Sequence, residues 1–582
     1  MPEGVPRGHG YSLREARSTA GSFGLVATWS VSLLLAMAGM PVGAQTNPGA
    51  AIGTGGNGAG VYSIAGTVVN GLSGEPLRRA TVAVLAVEDS HTIESVETGS
   101  DGRFSLQGLP AAKYQLTASK RGFRTAFYDE HEEYSTAIVT GADQETGQLV
   151  FRLTPSSTLH GVVTADGGDP VEGAKVMLFL VPPEHARPSG RGRGPNERIA
   201  QVDAATTDDT GAYEFANLAA GKYLLAVTAT PWYALHLSST DAGAKAGGSG
   251  TALDVAYPVT FYDSTTDEAS ATPIVLGAGS REEANLFLHA TPALHIFVQA
   301  PHGQTNPNEF AIPVMQRSIF GTQVSSETQL TINPGLSNLA EFTGVAPGPY
   351  QLQQGNPPRV VDLDAATSQQ VDPASGTPTV PVSGTLASSW GSALPDEVNM
   401  VLSSLEDGRH QEQLVAGARK GEFQFNSVLP GKWELHAWGP VGELAVVSIA
   451  ANGAAHAGNM LTVGDRALTV TATLAQGVAR VEGFARRETK GVAGVMVVLA
   501  PKNKAAFRAL VRRDQSDSDG SFSLRDAAPG QYTVVAIENG WELDWSRPEV
   551  LARFLPKGVA VSVTESSGKT IQLLEAVPVQ TQ

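Results

Sequence analysis

The stretch DGRFSLQGLPAAKYQL occupies residues 101–116. Near copies stand at residues 210–225, TGAYEFANLAAGKYLL, and at 519–534, DGSFSLRDAAPGQYTV. Asp101-Gly102 is a turn signal, because glycine tolerates positive φ and an aspartate side chain bonds nearby backbone. Phe104 and Leu106 then alternate with polar neighbours, as a half-buried strand does. Gly108 to Ala112 gives a second turn, and Tyr114, Leu116 and Ala118 alternate again. The unit predicts a β-hairpin with one apolar face, which is marginal alone and needs partner strands.

Those partners lie upstream. SIAGTVV at residues 63–69 reads as one strand; after a turn carrying Pro76, TVAVLAV at 81–87 reads as another. The same order returns around the other copies, as LHGVVTA from Leu159 with GDPVEGAKVMLFLV from Gly168, and as RVEGFAR from Arg480 with KGVAGVMVVLA from Lys490. Two eroded copies stand between. One holds LHIFVQA from Leu294 and EFTGVAPGPYQL from Glu341; the other holds PVSGTLA from Pro381 and GEFQFNSVLPGKWEL from Gly421. A Phe-Tyr-Asp tail recurs at residues 127–129 and 261–263. The expectation is an all-β chain of five tandem antiparallel sandwiches, at residues 61–155, 156–290, 291–377, 378–476 and 477–582. The 64 glycines and 35 prolines suit such turn-rich structure.

Arg7, Arg14 and Arg17 precede the apolar run FGLVATWSVSLLLAMAGM at 23–40, and Val42-Gly43-Ala44 follows. This reads as a signal peptide over residues 1–44 with cleavage after Ala44, then a linker over 45–60. An uncleaved anchor is the alternative reading, since the run is just long enough to span. The mature chain is therefore expected to be secreted or periplasmic, without a stable transmembrane segment. The full sequence's formal net charge of −17 opposes binding to nucleic acid or to an anionic membrane surface. The absence of cysteine excludes disulfides, thiolate-bound zinc, a thiol nucleophile and a lipobox anchor.

The pattern resembles the carboxypeptidase regulatory-like domain, a transthyretin-like sandwich grouped with carbohydrate-binding-like folds. Gly66, Pro76, Ala80, Val82, Gly102, Phe104, Leu109 and Tyr114 carry the match in the first copy. Gly161, Pro170, Ala174, Val176, Gly211, Phe215, Leu218, Gly221 and Tyr223 carry it in the second, and Gly483, Gly520, Phe522, Gly530 and Tyr532 in the fifth. The fourth copy has Trp433 where the others have tyrosine, and the third lacks the Asp-Gly turn. A fibronectin type III sandwich is the rival, and both give the same fold class. The resemblance implies a domain that performs no chemistry itself.

Candidate sites are few. His91-Thr92-Ile93-Glu94 spells a zinc-peptidase fragment, but it has no third ligand and no catalytic scaffold. DQSDSDG at 514–520 spaces carboxylates as a calcium loop does, yet with glutamine near its start and a strand turn around it. No Gly-x-Ser-x-Gly elbow is present; Ser249 lies in a linker-like run. RPSGRGRGPNER at 187–198 is the one basic segment and reads as a solvated loop. Exposed aromatics are what sugar sites use, which leaves Trp232, Tyr233, Trp541 and Trp545 as ligand-binding candidates. Phe123, Trp232 and Trp541 share one module position, which suggests core for Trp232 and Trp541; Tyr233 and Trp545 lie outside that register. No cofactor or metal is expected. The leading reading is a non-enzymatic envelope protein that binds polysaccharide. Its alternatives are a protein–protein scaffold or adhesin that binds an envelope protein, and a non-catalytic accessory of a secreted hydrolase.

Overall fold

The computed structural model describes residues 61–582 except 88–89, 183–198, 237, 239–252, 300–311, 326–328, 333–338, 356–357, 390–393, 406–412, 440–443, 452–455 and 565–569. Residues 1–44, read above as a signal peptide, residues 45–60, read as a linker, the basic segment 187–198 and Ser249 lie outside the described residues.

The described chain is built of β-sandwiches in tandem. In the first, Tyr62–Asn70 pairs antiparallel with Arg103–Leu109 and parallel with Leu149–Leu153. The facing sheet sets Thr81–Ala86 between Thr92–Glu97 and Lys113–Ser119, and the short strands Ala126–Phe127 and Ile138–Val139 also pair with Lys113–Ser119. Apolar residues alternate along Arg103–Leu109 and Lys113–Ser119, so each sheet turns one face inward. Phe104, Leu106 and Leu109 thereby meet Val82, Val84, Tyr114 and Leu116 in one core. Each such side chain contributes about 1.5–3 kcal/mol on burial.

This topology corrects the hairpin expected for residues 101–116. Arg103–Leu109 and Lys113–Ser119 do not pair with each other; they belong to the two opposed sheets. The segment between them is a corner that carries the chain over the edge of the sandwich. The same crossing recurs four more times, between Ala212–Leu218 and Gly221–Thr228, Leu339–Val345 and Gly348–Gly355, Glu422–Val428 and Gly431–Trp438, and Ser521–Ala527 and Gly530–Glu538.

One type of hydrogen bond recurs at every corner. The Tyr114 hydroxyl donates to the Pro110 carbonyl at 3.0 Å, four residues upstream. Tyr223 does so to Ala219 at 2.9 Å, Tyr350 to Ala346 at 2.9 Å and Tyr532 to Ala528 at 2.8 Å. In the fourth copy the Trp433 indole N–H reaches the Leu429 carbonyl at 3.0 Å, so the tryptophan preserves the corner with a different donor. The ring fills the core while its polar tip satisfies a carbonyl that the turn leaves without a ladder partner.

A second recurring bond lies just before the Asp-Gly turn. Thr98 Oγ1 donates to the Leu77 carbonyl and accepts from the Ala80 N–H. Thr207 bridges Val171 and Ala174 in the same way, and Ser516 bridges Val492 and Val495. These buried hydroxyls tie the Gly-x-Pro region, or its counterpart in the last copy, to the turn.

Candidate functional site

Of the four aromatic candidates, the structure leaves one fully open. Trp232 follows the strand Gly221–Thr228 and is 93% exposed, which corrects its expected place in the core. The shared register with Phe123 and Trp541 does not fix burial: helical turns after Gly530–Glu538 enclose Trp541, while Trp232 stays open. Tyr233 meets the Trp232 ring edge-on, with centroids 5.6 Å apart and planes at 89°. Behind Tyr233 lies buried Tyr257, whose hydroxyl is pushed up by burial and further by Tyr233, Asp166 and Asp169. Asp166 pairs with His289 at 2.7 Å and accepts from the Ala290 N–H at 3.1 Å. Those bonds hold its carboxyl below the usual range. One end of the second sandwich thus presents an open indole with hydroxyls and carboxylates behind it.

Trp541 and Trp545 are 8% and 2% exposed and belong to a core of the last sandwich, so neither ring can serve as an open platform. The reason is the segment after Gly530–Glu538. The short helical turns Gly540–Glu542, Pro548–Leu551 and Leu555–Lys557 fold over the outer face of the sheet. They build a second core there from Met496, Val498, Val535, Ile537, Leu551 and Phe554.

Residues of the first sandwich complete that core. Tyr134 packs against it, and the His131 ring stacks on Trp541 with centroids 5.2 Å apart and planes at 8°. Arg513, with only 1% of its side chain exposed, pairs with Glu132 at 2.7 Å. Its guanidinium lies 3.8 Å from the Trp545 centroid and 5.2 Å from that of Tyr134, an arrangement in which ring faces attract the cation. Gln515 gives its amide to the Asp129 carbonyl at 2.5 Å and to Thr136 Oγ1 at 2.7 Å.

The DQSDSDG stretch is consumed by the same interface. Asp517 receives the Lys113 ammonium at 2.6 Å and the Ala137 N–H at 3.1 Å, and Ser518 Oγ receives the Val139 N–H at 2.8 Å. Asp514 accepts from the Ser523 N–H at 2.5 Å, and its carboxyl is pushed up to about 7, chiefly by burial. Asp519 takes the Ser521 N–H at 2.9 Å. Carboxylates that resemble a cation loop in sequence are therefore occupied by an ammonium and by N–H donors. Among the described residues no group of three or more His, Cys, Asp and Glu side chains is arranged to hold a metal ion. His91 and Glu94 are both exposed, at the exposed strand Thr92–Glu97.

A third cluster has no local signature in the sequence. His295 places Nδ1 2.7 Å from Glu341 and Nε2 2.7 Å from Asp254, and Asp254 also meets His236 at 3.3 Å. Glu341 is 2% exposed. Burial opposes a charged imidazole here, but the hydrogen bonds and charges of Glu341 and Asp254 outweigh it, so His295 titrates above its ordinary value. A raised folded value adds stability that is complete below the ordinary histidine pKa and is lost as pH rises through the folded one. Amides of Leu294–Gln299 and Leu339–Val345 should therefore exchange several-fold more slowly at pH 6 than at pH 8.5, after correction for intrinsic rates. His295→Gln should remove that difference. Equal protection at both pH values in the parent chain would contradict the assignment.

Comparison with known proteins places the class at the level of domains. Residues 63–154 match the family model of the carboxypeptidase regulatory-like domain. Residues 479–554 match that of the second beta sandwich domain of BOS complex subunit NOMO1-like. Both models describe β-sandwich domains, and neither match includes a catalytic domain. No curated protein matches the chain. Among solved structures, the Bacillus anthracis TIE protein aligns over 91% of this chain and 75% of its own, at 10% identity and a TM-score of 0.16. The shaft pilin SpaA of Lactobacillus rhamnosus GG aligns over 40% of this chain and 97% of its own, at 10% identity and a TM-score of 0.19. The minor pilin GBS52 of Streptococcus agalactiae covers the same shares at 14% identity and a TM-score of 0.19. Similarity of this size carries nothing about role. No helix of the described residues is long and apolar enough to cross a membrane.

Proposed function

We propose that this chain is a non-enzymatic, exported binding protein that meets polysaccharide at or outside the cell envelope through the Trp232 end of its second sandwich. The observation that carries the reading is the 93% exposure of Trp232 beside Tyr233. An indole held open to water gives up apolar burial, and stacking on the C–H face of a sugar ring recovers it. Asp166, Asp169 and the tyrosine hydroxyls behind it supply the polar partners that sugar hydroxyls require. The match of residues 63–154 to a regulatory-like domain supports a role without chemistry.

A glycan array and isothermal titration of the purified mature chain test this. Trp232→Ala is expected to reduce glycan affinity by about tenfold or more, which corresponds to the ~1.4 kcal/mol or more of one stacked ring. Stability should change by less than about 0.5 kcal/mol, as for other exposed positions. Unaltered binding by the variant, or no glycan binding by the parent, rejects the reading. The scaffold alternative is favoured by one observation, the docking of the first sandwich on the last, in which one module surface packs on another. Capture of a single envelope protein by the mature chain, abolished by a loop substitution, would favour it.

A further inference from the structure

We propose that the cleft between the second and third sandwiches is a binding site for a small amphipathic anion, a carboxylate with an apolar body. The cleft encloses about 770 Å³, within the size range that small-molecule ligands fill. It exists because of one hairpin. Phe320 and Gly321 sit between Val314–Ile319 and Thr322–Ser325 with φ of 47° and 78°. This left-handed tip turns the Phe320 ring onto Phe179 and Phe261 of the second sandwich, with both centroid distances 5.1 Å. The inserted ring joins the two sandwiches on one side and leaves a trough beside itself. Leu224, Val259, Phe261 and Ile319 give that trough an apolar floor.

The charged groups around the trough are not equally committed. Asp267 accepts from the Ala269 N–H and the Ser270 hydroxyl, Glu268 accepts from the Phe320 N–H at 3.1 Å, and Asp362 is engaged as well. Arg317 lies 4.4 Å over the Tyr350 ring and gives one N–H to the Tyr350 hydroxyl. Its remaining N–H groups, and the whole ammonium of exposed Lys222, make no hydrogen bond or ion pair among the described residues. Ser318 Oγ is buried against the same cleft without a partner. Three acids already occupied, two cations with donors to spare and one spare hydroxyl fit an anionic head group above an apolar tail. The site is distinct from the Trp232 end, because Lys222 opens the strand Gly221–Thr228 and Trp232 lies beyond its other end.

Decanoate and decanol, titrated calorimetrically onto the full mature chain at neutral pH, share a tail and differ in the head group. Decanoate is expected to saturate one site and to displace anilinonaphthalene sulfonate from it. Lys222→Glu should weaken decanoate about tenfold or more and leave decanol within about twofold. Ala271→Trp, which fills the trough, should remove both ligands. Lys222 is exposed, so Lys222→Glu decides the matter even where Ala271→Trp disturbs packing. No saturable decanoate binding by the parent chain, or equal decanoate affinity in the parent and Lys222→Glu, overturns the proposal.

Discussion

Arg513→Ala is expected to destabilise the last sandwich by about 2–4 kcal/mol and to release the first sandwich from it. The side chain is almost wholly buried, and its Nε and Nη1 atoms have no hydrogen-bond acceptor. Ring faces hold it in place of a full set of polar partners. Trp545, Tyr134 and Trp541 surround the guanidinium at 3.8, 5.2 and 5.8 Å. Glu132 is itself 36% exposed, so water screens part of that ion pair and the stacked rings carry the larger share. Arg513→Lys keeps the charge and loses the planar stacking, and should fall between the parent and alanine forms. Thermal unfolding reads the stability, and the radius of gyration from solution scattering reads the release. An alanine form that keeps both the parent melting temperature and the parent radius would show that the contact holds nothing.

The second large effect belongs to Gly520. Its φ is +83°, and a Cβ there would stand 2.6 Å from the Ala485 carbonyl oxygen, 2.7 Å from Gly491 Cα and 2.8 Å from Val492 N. All three are backbone atoms that cannot rotate away. Left-handed backbone costs an alanine about 1–2 kcal/mol and the forced contact about 1–3 more, so Gly520→Ala should lose about 2–5 kcal/mol. Gly108 isolates the first part. Its φ is +74° but nothing stands within 4 Å of its Cβ position, so Gly108→Ala should lose only the smaller cost. Urea unfolding of the two variants separates the effects, and equal losses would refute the steric account.

Alternation along Phe104, Leu106, Tyr114 and Leu116 made the strands, their inward faces and the tandem plan legible in the sequence. It could not show that the two halves of residues 101–116 lie in opposed sheets. A short turn fits a hairpin and a corner equally well locally, and distant partners decide between them: Tyr62–Asn70 for one half, Thr81–Ala86 for the other. The corner bond could have been found from the tyrosine four residues after the turn. The candidate site was less legible. Trp545 lay outside the repeated register, which suggested an open ring, while the helical turns that cover it follow Gly530–Glu538 and give no signal in that register. DQSDSDG looked like a cation loop because the ammonium it receives, Lys113, lies in another sandwich. The His295 cluster draws on residues 236, 254, 295 and 341, and no local spacing relates them.

The docking of the first sandwich on the last has a consequence for how the protein comes into being. Lys113 and Asp517 are separated by 404 residues along the chain. The entropy of closing so long a loop grows only with the logarithm of its length, about 0.6 kcal/mol for each doubling, so the distance itself is a small obstacle at equilibrium. During synthesis the order of events matters more. The first sandwich can fold early, but Arg513, Trp541 and Trp545 leave the ribosome long after it. Until then His131, Tyr134 and Lys113 face water without their partners, and a chain interrupted before Trp545 has nothing to cover them. The interface therefore closes only after residues through Trp545 have been made.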